Sequence, residues 1–280
     1  LTSLTPVAGQ SLRIATMNRK NDYPPLFDSH CHLDFADFDR DRSQVLDRAA
    51  DSGVGAICLP ATRQNQWQSL VAPTPISQPI RIVVALGLHP YFLTDHQNSD
   101  LELLDELLQQ RHHNVVAIGE TGLDFVACQE RQKQLLLFTG HVQLACRHEL
   151  PLIIHGRKSH DQILQILRRY CPARGGIIHA YSGSEQQARE YLKLGFKLGF
   201  GGGITYPRAR KTRQLASTLP LASIVLETDA PDMPLNGQQG KRNEPGQVLQ
   251  VATCLASLRG ISLPEVARTT SENCRVIFGL

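Results

Sequence analysis

The sequence predicts an α/β protein, a (β/α)8 barrel, and three observations predict it. Short apolar runs recur about eight times along the chain, as strands buried on both faces do. Longer stretches of helical periodicity lie between them. Histidines and acids stand at the ends of several runs, and a barrel of this type carries its chemistry at the C-terminal ends of its strands.

The elements follow in order. Leu26-Phe27 is the first strand, and residues 41–51, with Val45, Leu46 and Ala49, the first helix. Residues 55–59 form the second strand, and Trp67 is expected to be a packing or surface aromatic on the second helix. Residues 82–86 follow as a strand and residues 100–110 as a helix, its Leu101, Leu104, Leu107 and Leu108 on one side and Asp100 as N-cap. Strand 115–118 precedes the longest helix, 129–149, where Leu135, Leu136, Phe138, Val142 and Ala145 repeat with a 3.6-residue period. Strands 152–154, 176–178, 196–200 and 224–226 alternate with helices 159–170, 184–194 and 208–215. Gly201-Gly202-Gly203 reads as a tight loop. Two helices, 247–258 and 263–276, close the chain, the second opened by a Ser262/Glu265 capping box with Pro264 in its first turn. A doubly wound open sheet is the competing topology, but no G-x-G-x-x-G opens a helix after an early strand.

The 280 residues, 41% hydrophobic and 20% charged, are enough for one barrel and match ordinary globular composition. Residues 1–24 are expected to be a disordered extension and 25–280 the barrel. No apolar run approaches a membrane span, and a net charge of +3 does not itself argue for nucleic acid. Seven scattered cysteines without a C-x-x-C pair point to reduced thiols and a cytoplasmic location.

His30 and His32, two residues apart, can aim at one point if the strand continues through them. Glu120 follows the fourth strand, His155 the fifth, His179 the sixth, and Glu227-Thr228-Asp229 the eighth. Each alone has an ordinary explanation: a solvated acid, a hydrogen-bonded histidine, a helix cap. Gathered at one barrel mouth without a cation they would be unsatisfied. Imidazoles with carboxylates suit Zn²⁺, Mn²⁺, Fe²⁺, Co²⁺ or Ni²⁺. Four histidines and two acids exceed one tetrahedral ion, whereas two ions roughly 3.5–4 Å apart, bridged by a carboxylate, would use them all in hydrolysis.

The segments Asp28 to Asp34, Gly87-Leu88-His89-Pro90, Gly119 to Phe125, Pro151 to His155, His179 to Gly183, Glu227 to Pro231 and Asn243-Glu244-Pro245 resemble the TatD family of metal-dependent deoxyribonucleases. Gly202 to Ala209 resembles its YjjV-like branch. The resemblance runs in order from about Leu26 to the C-terminus. Thr121 stands where isoleucine is commoner. It implies a barrel of the amidohydrolase type holding two divalent ions (Zn, Mn, Mg, Ni or Co). His30, His32 and Asp229 would hold one and His155 and His179 the other. Glu120 would bridge them, where many relatives carry a carbamylated lysine.

The function so implied is cleavage of DNA phosphodiesters, exonucleolytic on single strands or 3′ ends, with Asp229 as general base and Glu120 the second catalytic residue. Arg157, Tyr206 and Arg208 are expected to grip substrate, with His89 beside the site, Asp124 similar, and Lys158, Lys211, Arg213, Lys241 and Arg242 as further cations. Cys31 should point away from the metals and pack. No membrane and no obligate protein partner is expected. The alternatives are hydrolysis of a non-nucleic-acid ester or amide on the same platform, and a metal-holding nucleic-acid binder without turnover.

Overall fold

The computed structural model describes residues 22–72, 79–127 and 129–280. Eight parallel strands are ordered β1 to β8 in sequence: β1 Leu26–Asp28, β2 Val54–Pro60, β3 Arg81–Leu86, β4 Val115–Asp124, β5 Leu152–Arg157, β6 Gly176–Ile178, β7 Phe196–Phe200 and β8 Ile224–Leu226. The ring is nearly closed. Between its ends the Ser29 amide donates to the Leu226 carbonyl (2.9 Å) and the Asp229 amide to the His30 carbonyl (2.9 Å). Parallel strands need a crossover after each strand, and helices supply most of them. They are α1 Arg42–Asp51, the single turn and a half of α2 Trp67–Val71, α3 Asp100–Gln109, α4 Arg131–His148, α5 His160–Tyr170, α6 Glu185–Lys193, α7 Arg210–Thr218, α8 Val248–Arg259 and α9 Leu263–Phe278.

Two apolar clusters follow from strand alternation. Leu26, Ile57, Leu86, Ile118, Ile154, Ile178, Leu198 and Leu226 pack outward against the helices. Phe27, Cys58, Ala85, Ala117, Ile153, Ile177 and Val225 touch one another, which residues of seven strands can do only inside the barrel. Cys274, Ile277 and Phe278 of α9 pack on that interior cluster, Phe278 with its ring centre 5.7 Å from that of Phe27.

Local details differ from expectation in three places. Ser99 precedes α3, and Asp100 is its first residue, accepting the Gln97 amide (2.8 Å). Ser262 Oγ accepts the Glu265 amide, but the reciprocal capping box forms at α6, between Ser184 and Gln187. β4 runs on to Asp124, six residues past the apolar run, because Gly122 and Asp124 pair in register with His155 and Arg157. Trp67 is buried, its indole donating to the Gly87 carbonyl (3.2 Å). The expected extension lies outside the described residues over 1–21; Tyr23 is described, its hydroxyl donating to the Ser52 carbonyl (3.0 Å). Six cysteines are free among the described residues, and no described helix is long and apolar enough to cross a membrane.

Candidate metal centre

The interior parity of the strands carries the site. Ile153 and Ile177 pair in register, and two residues beyond them His155 and His179 share the inward face. Val225 is followed at the same interval by Glu227. These side chains rise from the apolar interior into the barrel mouth, where His30, His32 and Glu120 join them.

Glu120 stands at the centre. Its Oε2 lies 3.0 Å from His30 Nε2 and 3.6 Å from His32 Nε2, while its Oε1 lies 3.0 Å from His89 Nε2 and 3.2 Å from His155 Nδ1. Asp229 Oδ1 is 3.6 Å from both His30 and His32 Nε2, and Oδ2 is 3.6 Å from His179 Nε2. The six predicted ligands therefore converge. The two Nε2 atoms of His30 and His32 are 3.2 Å apart. Ligands about 2.1 Å from one ion at tetrahedral angles stand roughly 3.4 Å apart, so this spacing suits two nitrogens on one ion. Among the described residues His30, His32 and Glu120 form one group of atoms close enough to share an ion, His89, Glu120 and His155 another, and His30, His179 and Glu227 a third.

Hydrogen bonds behind the rings set which nitrogen faces the mouth. His32 Nδ1 donates to the Pro60 carbonyl (3.2 Å), leaving the Nε2 lone pair forward. The His30 ring is held by stacking on His179, ring centres 3.6 Å apart. His179 Nδ1 faces Glu227 Oε2 at 3.2 Å, and Glu227 Oε1 is fixed by the Ala180 amide (2.7 Å). Gly199 makes room for that carboxylate, since a Cβ there would come within 2.2 Å of Glu227 Oε2. His155 Nε2 faces Asp124 Oδ2 (3.1 Å), whose Oδ1 accepts the Val126 and Ala127 amides. His89 differs. Its Nδ1 accepts the Tyr91 amide (3.0 Å), so neutral His89 carries its proton on Nε2 and donates to Glu120. It braces the carboxylate rather than offering a lone pair.

Electrostatics agree with this layout. Burial alone would raise Glu120 and Asp229, but the surrounding histidines reverse it. His89 and His30 hold Glu120 well below the carboxylate range, and His179 chiefly holds Asp229 at about 2. Burial opposes the charged form of His179, yet Glu227 and Asp229 raise it well above the usual histidine value. Burial likewise opposes His155, and Asp124 with Glu120 raises it. His30 is lowered, by burial and then by His179. The buried acids thus need positive charge, which a divalent cation would supply on displacing the protons. The donor set fits a metal.

The mouth is a cavity of about 270 Å³ lined by His32, Phe35, His89, Tyr91, Phe92, Glu120, His155, His179 and Asp229, among others. Of the expected substrate-gripping residues only His89 lines it. Arg157 is exposed at the end of β5. Tyr206 donates its hydroxyl to the Pro234 carbonyl (2.7 Å), with the Arg208 guanidinium 5.2 Å from its ring centre. Arg242 is occupied by Asp41 (2.8 and 2.7 Å) and Glu244 (2.9 Å), and Arg213 by the Ile204 carbonyl (2.7 Å). Cys31 is buried and packs. Glu227, at the end of the eighth strand, is the candidate site residue to which the sequence assigns no role. Its signal was its parity with Val225, matching His155 after Ile153 and His179 after Ile177.

Comparison with known proteins gives one answer. The model of the family described as TatD related DNase matches residues 27–279. The Escherichia coli K12 protein named uncharacterized metal-dependent hydrolase YjjV is 44% identical over 254 residues, 90% of this chain and 97% of that one. Its crystal structure superposes with a TM-score of 0.87 over 91% of this chain and 98% of that chain. The Bacillus subtilis protein named uncharacterized metal-dependent hydrolase YabD is 35% identical, covering 90% of this chain and 98% of its own.

Proposed function

The chain belongs to the TatD family and is a metal-dependent hydrolase, and from that premise we propose that it cleaves phosphodiester bonds of DNA, preferring single strands or 3′ ends. The observation that carries the reading is Glu120, whose two oxygens face separate histidines at 3.0–3.6 Å. His30, His32, Asp229 and Glu120 would hold one divalent ion, and Glu120, His155 and His179 a second. Such ions, when bound, ease deprotonation of water and offset charge on phosphoryl oxygens.

The chain's own groups do the rest. Asp229, held ionised, takes the proton of the attacking water. The water oxygen bonds to phosphorus as the opposite phosphorus–oxygen bond breaks, and the departing oxygen takes a proton from solvent. His89 and the histidines behind it keep Glu120 ionised and in place. Glu227 and Asp124 keep His179 and His155 oriented. Free thiols on the described cysteines fit a cytoplasmic setting.

One observation favours a smaller ester or amide as substrate: among the described residues, no lysine or arginine lines the mouth cavity. Reconstituting the protein with Zn²⁺, Mn²⁺, Mg²⁺, Ni²⁺ or Co²⁺ and offering end-labelled single- and double-stranded DNA, RNA and model carboxylate esters and amides decides between them. Shortening of single-stranded DNA from one end is expected, lost in Asp229→Asn at unchanged thermal stability. Turnover of esters or amides alone overturns the nuclease reading, and DNA binding without cleavage under every metal returns a binder.

A further inference from the structure

An aromatic rim borders the mouth on one side. Phe35 stacks on the His32 ring, centres 4.7 Å apart. Phe92 meets the Tyr91 ring edge-on at 5.1 Å, and its own ring carries the Arg63 guanidinium 3.5 Å from the centre. Arg63 is tied in turn to Asp95 (2.8 Å). Phe92 is thus held in place, whereas Tyr91 lines the same cavity with 62% of its surface exposed. Folding gains little from leaving so large an apolar ring in water. Its backbone is not free to wander, because the Tyr91 amide donates to His89 Nδ1, and His89 Nε2 reaches Glu120. The ring is therefore keyed to the carboxylate at the centre of the site.

We propose that Tyr91 is a specificity residue, a stacking face for the nucleobase next to the bond being cut. The proposal rests on the phosphodiesterase reading. With no lysine or arginine among the described residues lining the cavity, affinity for the strand beyond the metal centre must come partly from its bases. Every base offers a π-face to an aromatic ring, so such a contact binds DNA without reading sequence. The ring meets substrate and not the reacting atoms, so it acts on KM and leaves kcat alone.

The test compares wild type, Tyr91→Ala and Tyr91→Phe, metal-loaded, on a thymidine homo-oligomer and an abasic phosphodiester oligomer of equal length. Tyr91 is exposed, so neither change should disturb folding; matching thermal melts verify this. Wild type is expected to prefer the thymidine oligomer. Tyr91→Ala should raise KM for it about tenfold with kcat within about twofold. It should leave the abasic oligomer unaffected, and Tyr91→Phe should behave as wild type. An unchanged KM, an equal loss on both oligomers, or a Phe variant as weak as the Ala variant overturns the stacking site while the nuclease reading stands. Failure of wild type to cut either oligomer overturns both.

Discussion

Glu227 shows how much of this site depends on the group behind a ring. Its carboxylate accepts the Ala180 amide and faces His179 Nδ1, so the neutral ring keeps its proton at the back and its lone pair forward. In Glu227→Gln the amide group can donate to Nδ1 and push the proton to Nε2, the nitrogen that faces Asp229. The fold should survive, because Gln still accepts the Ala180 amide. Metal affinity should fall about 10–100-fold, read by competition with a coloured chelator, and unchanged affinity would remove Glu227 from the site. His141 works a layer further out. Its Nδ1 donates to the Leu137 carbonyl (2.7 Å) and its Nε2 accepts the Leu88 amide (3.2 Å), next to His89. Burial lowers it from 6.5 to about 4. The unfolded chain therefore binds a proton first as pH falls, and stability is lost between about 6.5 and about 4. His141 contributes on the order of 3 kcal/mol to that loss. Urea unfolding of His141→Gln across this window should show a shallower decline than wild type.

At the scale of elements, the strand ends decide what can stand where. Gly122 sits in β4 at φ +146°, and a Cβ would come within 2.0 Å of the His155 carbonyl oxygen. That contact is backbone, so it cannot step aside. Gly122→Ala should cost about 2–4 kcal/mol in urea unfolding and loosen the pairing that carries His155. Gly203, in the expected tight loop, has open space for a Cβ and no left-handed φ. Gly203→Ala should change stability by less than about 1 kcal/mol, in the stabilising direction. A comparable loss in both variants would show that β4–β5 packing is not what Gly122 serves. The segment after β8 shows the same logic with charges. Arg242 and Arg48 clasp Asp41 and Glu244, tying the loop that ends in Asn243 to α1. Asn243 Nδ2 donates to the Thr228 carbonyl (2.9 Å), one residue before Asp229. Arg242 therefore spends its charge holding the loop, though its position near the mouth reads as substrate grip.

At the scale of the whole molecule, the nearly closed barrel comes together where β1 meets β8. Asp28 is buried there, accepting the Thr228 amide (2.9 Å) and hydroxyl (2.6 Å). Burial pushes its carboxyl up to about 8 despite both bonds. Thr228→Val keeps the shape but strips one partner from a buried carboxyl, and should cost about 1–3 kcal/mol. Chemical unfolding measures it, and a neutral effect would mean that the backbone bonds alone close the ring. α9 packs over both strands, so the C-terminus completes a seam that begins at residue 26.

The eight apolar runs, the helices between them and the convergence of the six candidate ligands were legible in the chain alone. Strand and helix periods are local properties, and a barrel sends every strand end to one rim, so His30, His32, Glu120, His155, His179 and Asp229 could be joined without coordinates. The substrate side was not legible. Arg157, Tyr206, Arg208 and Arg242 have suitable chemistry and suitable places in the sequence, yet whether a cation faces the mouth depends on which acid or carbonyl lies within reach. Asp41 and Glu244, respectively 201 and 2 residues away, claim Arg242. The exposure of Tyr91 and the proton position on His89 likewise depend on neighbours that only folding brings together. The sequence therefore determined the fold and the inner ring of donors, which follow from periodicity and strand ends, while tertiary packing alone decided their tautomers, their supports and the surface offered to substrate.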